Sequence, residues 1–284
     1  MTRLSVCLIT KNAEDKVETC LKSVAGWADE VLVLDGESTD RTVEICKKYT
    51  DKIFIKPFSG SFSEERNFLA RQAQGEWILH LDADERVPEE FKKEFEEKSK
   101  NLNVACYKTL RKNFFLGKAM IYGPWYHYIH ILHRKKQAHF IGKVHERLQV
   151  QGEIGIFDSP IEHYPFHSIS EFMTRQNRYT SLCAEEIFET HGKLPWKKIR
   201  KHFYYKPAKL FYKNYVRKKA YKEGFHGLVF SALYSFEHFL KWAKYWEKIK
   251  SETLQRERGG DGGDENFGSR GELSVGGTFD NSNF

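Results

Sequence analysis

The chain has 284 residues, 40% hydrophobic and 15% aromatic, with a formal net charge of +7, which suits one large domain or one domain with an appended piece. No run approaches the roughly 18 apolar residues that span a bilayer, and the N-terminal residues read as a first strand rather than a signal peptide. Cys7, Cys20, Cys46, Cys106 and Cys183 are dispersed and form no C-x-x-C pair, which argues against a disulfide framework or structural zinc and for a reducing cytoplasm.

Residues 4–10 (LSVCLIT) are an unbroken apolar run, as a strand buried on both faces requires. Residues 13–24 follow with Val17, Cys20, Leu21 and Val24 at helical spacing. Residues 30–34 (EVLVL) predict a second buried strand that runs into Asp35 and Gly36. Ser38, Thr39 and Asp40 offer N-caps for a helix reaching Tyr49. Residues 52–56 read as a short third strand, and residues 63–74 as a helix stopped at Gly75. Residues 77–81 predict a fourth strand, and Pro88 followed by two Glu opens another helix. Residues 104–165 read as a mixed-strand extension, and residues 168–191 as helix.

Repeated strand–helix–strand units predict an α/β fold, a mostly parallel sheet with helices on both faces. Ligands bind such sheets beyond the carboxyl ends of the strands. Asn12, Asp35 and the cluster Asp82, Asp84 and Glu85 in "WILHLDADERVP" all fall there. Hard divalent ions such as Mg²⁺ or Mn²⁺ take carboxylate oxygens and leave positions open for phosphate. An acidic loop capping the helix after Pro88 explains the same residues without a ligand. Asp35 in "VLDGESTDRT" can accept hydrogen bonds from a base or ribose, or simply make a turn.

"LSVCLITKNAED", "VLVLDGESTDRT", "RNFLARQAQGEWILHLDADE" and "KVHERL", in this order, resemble the family 2 glycosyltransferases with a GT-A fold. The subgroup similar to lipopolysaccharide inner-core glucosyltransferases is the nearer match. The resemblance covers residues 1–165 well and fades by residue 250. It implies that Asp35 contacts the uracil or ribose of a nucleotide sugar, Asp82 the ribose, and that Asp84 holds the cation on the diphosphate. Asn12, Arg66 and Asn67 match positions near the donor, and Glu146 matches the general base that takes the acceptor proton. His163 in "IEHYP" matches a late third metal ligand. The first loop reads Asn12, Ala13, Glu14, Asp15 where the family commonly has Asn-Glu-Glu, which leaves the role of Glu14 open. Trp125 and Tyr126 offer an apolar wall for a sugar, or core.

Residues 193–250 hold 16 Lys or Arg against three Glu and no Asp, interleaved with 16 aromatic residues. Such a helical extension can pack on the first domain, lie on an anionic membrane surface, or bind nucleic acid. Behind a glycosyltransferase domain the membrane surface is favoured, and nucleic acid is not expected. Residues 256–284 contain eight Gly and almost no core-forming residue. The expected organisation is therefore a GT-A domain over 1–192, a basic aromatic extension over 193–250, and a disordered tail over 251–284.

The expected activity is inverting, metal-dependent transfer of glucose from UDP-glucose to a lipopolysaccharide-core or related lipid-linked glycan. It would take place in the cytoplasm, at the inner face of the cytoplasmic membrane. A polyprenyl phosphate or protein acceptor is the alternative within enzymes, and a nucleic-acid-binding module the alternative outside them. Oligomeric state is not legible.

Overall fold

In the computed structural model of the protein, which describes residues 3–125, 127–142 and 146–259, the chain forms two compact units. One comprises Met1–Ile121 with Tyr126–His167, the other Tyr122–Trp125 with Ser168–Phe284. The first unit begins β1 (Leu4–Thr10), α1 (Val17–Val24), β2 (Glu30–Asp35), α2 (Thr42–Cys46), β3 (Ile53–Ile55), α3 (Phe62–Gln72) and β4 (Trp77–Asp82). It continues with β5 (Glu85–Arg86), α4 (Glu89–Lys98), β6 (Val104–Phe115), β7 (Lys118–Met120), β8 (Tyr128–Arg134), β9 (Ala138–Ile141), β10 (Arg147–Val150), β11 (Glu153–Ile156) and β12 (Ile161–Phe166).

Strands β3, β2, β1 and β4 lie side by side and parallel. Their unbroken apolar sequences follow from burial on both faces. Leu4, Val6 and Leu8 pack with Val17, Cys20 and Leu21 of α1, Ile45 of α2 and Phe91 of α4. Cys7, Leu32, Leu34 and Ile78 point the other way, against Leu69 and Ala73 of α3. Register places Asp35 beside Thr10 and Asp82 beside Ile9, so both carboxylates emerge at one sheet edge.

Beyond β4 the sheet turns mixed. β8 runs antiparallel to β4, β6 antiparallel to β8, and β12 parallel to β6. Short β5 closes this end antiparallel to β12, opposing His163 to Glu85. This α/β arrangement is the GT-A fold that the motif order implies. Trp77 anchors the centre, fully buried, stacked on Tyr107 (centroids 5.5 Å apart) and edge-on to Phe95.

The second unit holds α5 (Ile169–His191), α6 (Trp196–Ile199), a 3₁₀ turn (Arg200–His202) and α7 (Tyr205–Tyr212). A π-type turn (Lys213–Arg217), a second 3₁₀ turn (Ala220–Glu223) and the long α8 (Phe225–Gly259) complete it. Ser168 caps α5 by accepting from the Glu171 N–H (3.0 Å). Tyr245 of α8 donates to the Gly192 carbonyl (2.7 Å) and accepts from the Leu194 N–H (2.9 Å), fastening α8 to the turn after α5. Helix α5, inside the range 1–192 expected for the first domain, thus packs with the C-terminal helices. Helix α8 also runs past residue 251, because "SETLQRER" consists mostly of residues compatible with a helix and has neither Gly nor Pro. The rest of the expected tail, from 260 on, lies outside the described residues. Among the described residues no helix is long and apolar enough to cross a membrane.

Candidate active site

The loops after β1 and β2 are stitched together at the carboxyl edge of the sheet. Asn12 adopts a left-handed backbone (φ 48°), donates its N–H to Ser38 Oγ (2.8 Å) and accepts from the Thr39 N–H through Oδ1 (2.8 Å). Asp35 is fully buried and accepts from both the N–H (2.7 Å) and the hydroxyl (2.6 Å) of Ser38. Glu14 accepts from the Arg41 N–H (3.0 Å). Asn12 and Asp35 therefore hold the rim of the edge in shape, whatever else they touch.

One turn into α3, Arg66 reaches across this edge. Its Nη2 donates to Asp82 Oδ1 (3.0 Å) and its Nε to Glu146 Oε2 (3.1 Å), tying the end of β4 to the residue before β10. Arg111 of β6 approaches the same cluster from the opposite side, 2.6 Å from Glu85 Oε1 and 3.5 Å from Asp82 Oδ2. Glu85 Oε2 accepts the Asp82 N–H (2.9 Å). Burial works to raise the Asp82 carboxyl, but Arg66 and Arg111 outweigh it and hold it below the usual range. Burial prevails at Glu85, which is raised despite Arg111. Arg66 itself is raised: burial opposes its charge, but Asp82 and Glu146 more than offset it.

Asp84 lies beside His163, with Oδ1 3.4 Å from Nε2. Asn113 sets the imidazole. Its Nδ2 donates to the Arg111 carbonyl (3.2 Å), which turns its Oδ1 toward His163 Nδ1 (2.5 Å). With Nδ1 engaged there, Nε2 is the ring nitrogen that faces Asp84. Adjacent ligands of one octahedral ion with bonds of about 2.1 Å lie about 3 Å apart, so this oxygen–nitrogen pair fits a divalent cation. Among the described residues no group of three or more His, Cys, Asp or Glu could hold a metal. Asp84 and His163 are thus a pair that could hold such an ion, with its other positions open to ligands from outside the chain, as Mg²⁺-type sites commonly are.

Asp82, Asp84, Glu146, Arg66 and His163 are thereby gathered at one edge. Asn67 is not. Its Nδ2 donates to the Phe140 carbonyl and its Oδ1 accepts the Phe140 N–H, both at 2.8 Å, so the amide clamps β9 instead of facing a donor. Trp125 belongs to the second unit, its ring 4.1 Å from Phe230, and is packing there rather than a sugar wall. Tyr126 and His145 lie outside the described residues. Arg111, Glu85 and Asn113 were not singled out as a group, because only the pairing of β6 with β12 and of β12 with β5 brings them together. Arg111 falls in the stretch read only as a mixed-strand extension, beside Lys108 and Lys112, and no local signal distinguishes it from them.

A sequence model for glycosyl transferase family 2 matches residues 5–157, more than half of the chain, and spans Asp35, Arg66, Asp82, Asp84 and Glu146. The chain belongs to glycosyl transferase family 2. An uncharacterized glycosyltransferase of Rickettsia felis is 27% identical over 264 residues, covering 88% of this chain and 91% of that protein. The lipopolysaccharide core biosynthesis glycosyltransferase LpsC of Rhizobium meliloti is 24% identical over 260 residues, 86% of this chain and 92% of LpsC. Among solved structures, residues 1–349 of S. aureus TarS in complex with UDP align with a TM-score of 0.43 at 16% identity, covering 89% of this chain and 92% of that one. The family match stops before His163, which the pairing of β12 with β5 brings to this glycosyltransferase's acidic loop.

Proposed function

We propose that this family 2 glycosyltransferase is an inverting, metal-dependent enzyme that transfers glucose from UDP-glucose to a lipopolysaccharide-core or related lipid-linked glycan. The observation that carries the reading is the Arg66 bridge. It puts the carboxylate suited to the nucleotide, Asp82, and the carboxylate suited to proton removal, Glu146, on one guanidinium, two residues from the Asp84–His163 pair. Asp35 and Asp82 orient the nucleoside. Glu146 accepts the proton of the acceptor hydroxyl as that oxygen bonds to the anomeric carbon and the nucleoside diphosphate leaves. A bound Mg²⁺ or Mn²⁺ held by Asp84 and His163 supplies electrophilic stabilisation of the diphosphate. The likeness to LpsC along most of both chains supports a core-glycan acceptor, and an acceptor of that kind places the reaction at the cytoplasmic face of a membrane.

Calorimetric titration with UDP and UDP-glucose, with and without Mn²⁺, tests the reading. Binding is expected to need the metal and to weaken at least tenfold in Asp84→Ala. Binding that is absent, or indifferent to both changes, overturns the donor site. Glu146→Gln is expected to keep UDP affinity and lose about a thousandfold in transfer. Transfer near the wild-type rate assigns the base elsewhere.

A further inference from the structure

The structure divides the basic aromatic stretch into two parts with different fates. Helix α8 buries Phe230, Trp242 and Tyr245, with Ala184 and Ile199 packed against the last two, and exposes Phe225, Leu228, Phe236 and Trp246. The segment before it buries none of its aromatic residues. Along α7 and the π-type turn after it, residues 205, 208, 209, 212, 213, 216 and 217 are exposed, a single stripe at helical spacing. That stripe carries Tyr205 (60% exposed), Lys209, Tyr212 (56%), Lys213 and Val216 (43%). Tyr204, just before it, is 74% exposed, and Phe225, opening α8, is 76% exposed. No residue of α7 is fully buried.

The charge around this stripe has one sign. Residues 193–222 contain twelve Lys or Arg and no Asp or Glu. The first acid after them, Glu223, is buried and accepts the Tyr122 N–H (2.8 Å), so it does not offset the surface charge. An aromatic row on a cationic helix face, without interspersed acids, is an interfacial pattern. Tyrosine has an apolar body and a polar tip suited to the headgroup boundary, and lysine stems reach past it to phosphate.

From this we infer that the α7 face is a docking surface for an anionic phospholipid bilayer. Aliphatic Val216 favours acyl chains over a nucleic acid, to which it offers neither charge nor a stacking surface. The inference rests on the reading above only for its purpose, which is to keep the enzyme on the surface that carries a lipid-linked acceptor.

Co-sedimentation of the full chain with vesicles tests it, using phosphatidylcholine alone or with one-third phosphatidylglycerol and with neither acceptor nor nucleotide sugar present. Failure here therefore leaves UDP binding untouched, and failure of UDP binding leaves this result untouched. Partition is expected to be at least tenfold stronger onto the anionic vesicles and to fall about tenfold between 50 and 300 mM salt. The triple variant Tyr205→Ser, Tyr212→Ser, Val216→Ser is expected to lose at least tenfold, with its far-UV helical signal unchanged. Should that variant misfold, Lys209→Glu with Lys213→Glu reads the same face and is expected to lose as much. No partition, equal partition onto neutral vesicles, or partition unchanged by a folded variant overturns the proposal. So does arbitrary duplex DNA that binds more tightly than anionic vesicles at the same salt and competes them off.

Discussion

The sheet unit and the helical unit each contain a stacked pair of histidines in different electrostatic company. In the sheet, His80 of β4 and His133 of β8 have ring centroids 5.3 Å apart and Nε2 atoms 3.2 Å apart, with Phe140 edge-on to both. Burial pushes His133 down to about 4 and His80 well below its ordinary value. In the helical unit, His202 and His238 stack 5.4 Å apart, and His202 lies 3.6 Å from the Trp242 ring. There burial acts first; Lys201, Lys206 and Lys241 then press His202 down to about 4, and Lys241, His202 and Lys206 press His238 down to about 3. In the sheet unit the charged groups are paired with opposite charges, Arg66 and Arg111 with Asp82 and Glu85 at the carboxyl edge, Lys56 with Glu65 and Arg134 with Glu76 elsewhere. The helical unit has cations close to its own interior. Burial lowers His133 without help from a neighbouring charge, whereas lysines add to burial at both histidines of the helical unit.

The largest break in that comparison comes from the two cores. Trp77→Ala should cost about 3–5 kcal/mol, as for other buried aromatics, whereas Tyr204→Ala should stay within about 0.5 kcal/mol because that ring is exposed. Urea melts of both variants check it, and equal costs would remove the contrast.

Acid should come next. A histidine buried neutral binds its proton less readily than in the unfolded chain, so stability is unaffected above the ordinary pKa of 6.5 and falls as pH drops toward 4. At roughly 1.4 kcal/mol per pH unit, His133 alone accounts for a loss of about 3 kcal/mol across that window. Unfolding free energies measured from pH 7 to 4 should show at least this slope, and the double variant His80→Leu, His133→Leu should reduce it, with His202 and His238 accounting for part of what remains. A slope that the double variant leaves intact assigns acid sensitivity to other groups.

Asn67→Ala should cost about 1–3 kcal/mol, because it strands the Phe140 N–H and carbonyl. UDP affinity should move little, whereas a residue in contact with the donor would lose both. The smallest effect is expected from Lys248→Ala, which breaks a surface pair with Glu185 (2.6 Å) and should shift stability by a few tenths of a kcal/mol.

Much of the parallel half of the sheet was legible in the sequence. Strands buried on both faces leave continuous apolar runs, and β1 and β4 match their expected ranges within a residue. Helix α2 is shorter than expected at both ends: it starts only at Thr42, after Asp40 and Thr42 have bonded to each other and to the first loop, and it gives way to a turn at Lys47–Tyr49. The aspartates of the acidic loop were legible as a group, since they follow a strand end. The partners that decide their chemistry were less so. Arg111 and Asn113 come from a strand 30 residues on, and no local spacing announces that β6 will pass beside β12. Asn67 shows the limit of reading by neighbourhood. It adjoins Arg66 in sequence, but successive residues of a helix point about 100° apart, so one faces the site and the other a hairpin.

That divergence has a consequence for how this enzyme could change. Arg66 and Asn67 pin the β9–β10 hairpin at two places, the Phe140 backbone and the Glu146 carboxylate. Helix α3 thus holds Glu146 from outside the hairpin that carries it, and the same guanidinium holds Asp82. The two carboxylates therefore share one tether, and a change that moves Arg66 moves both ends of the site at once.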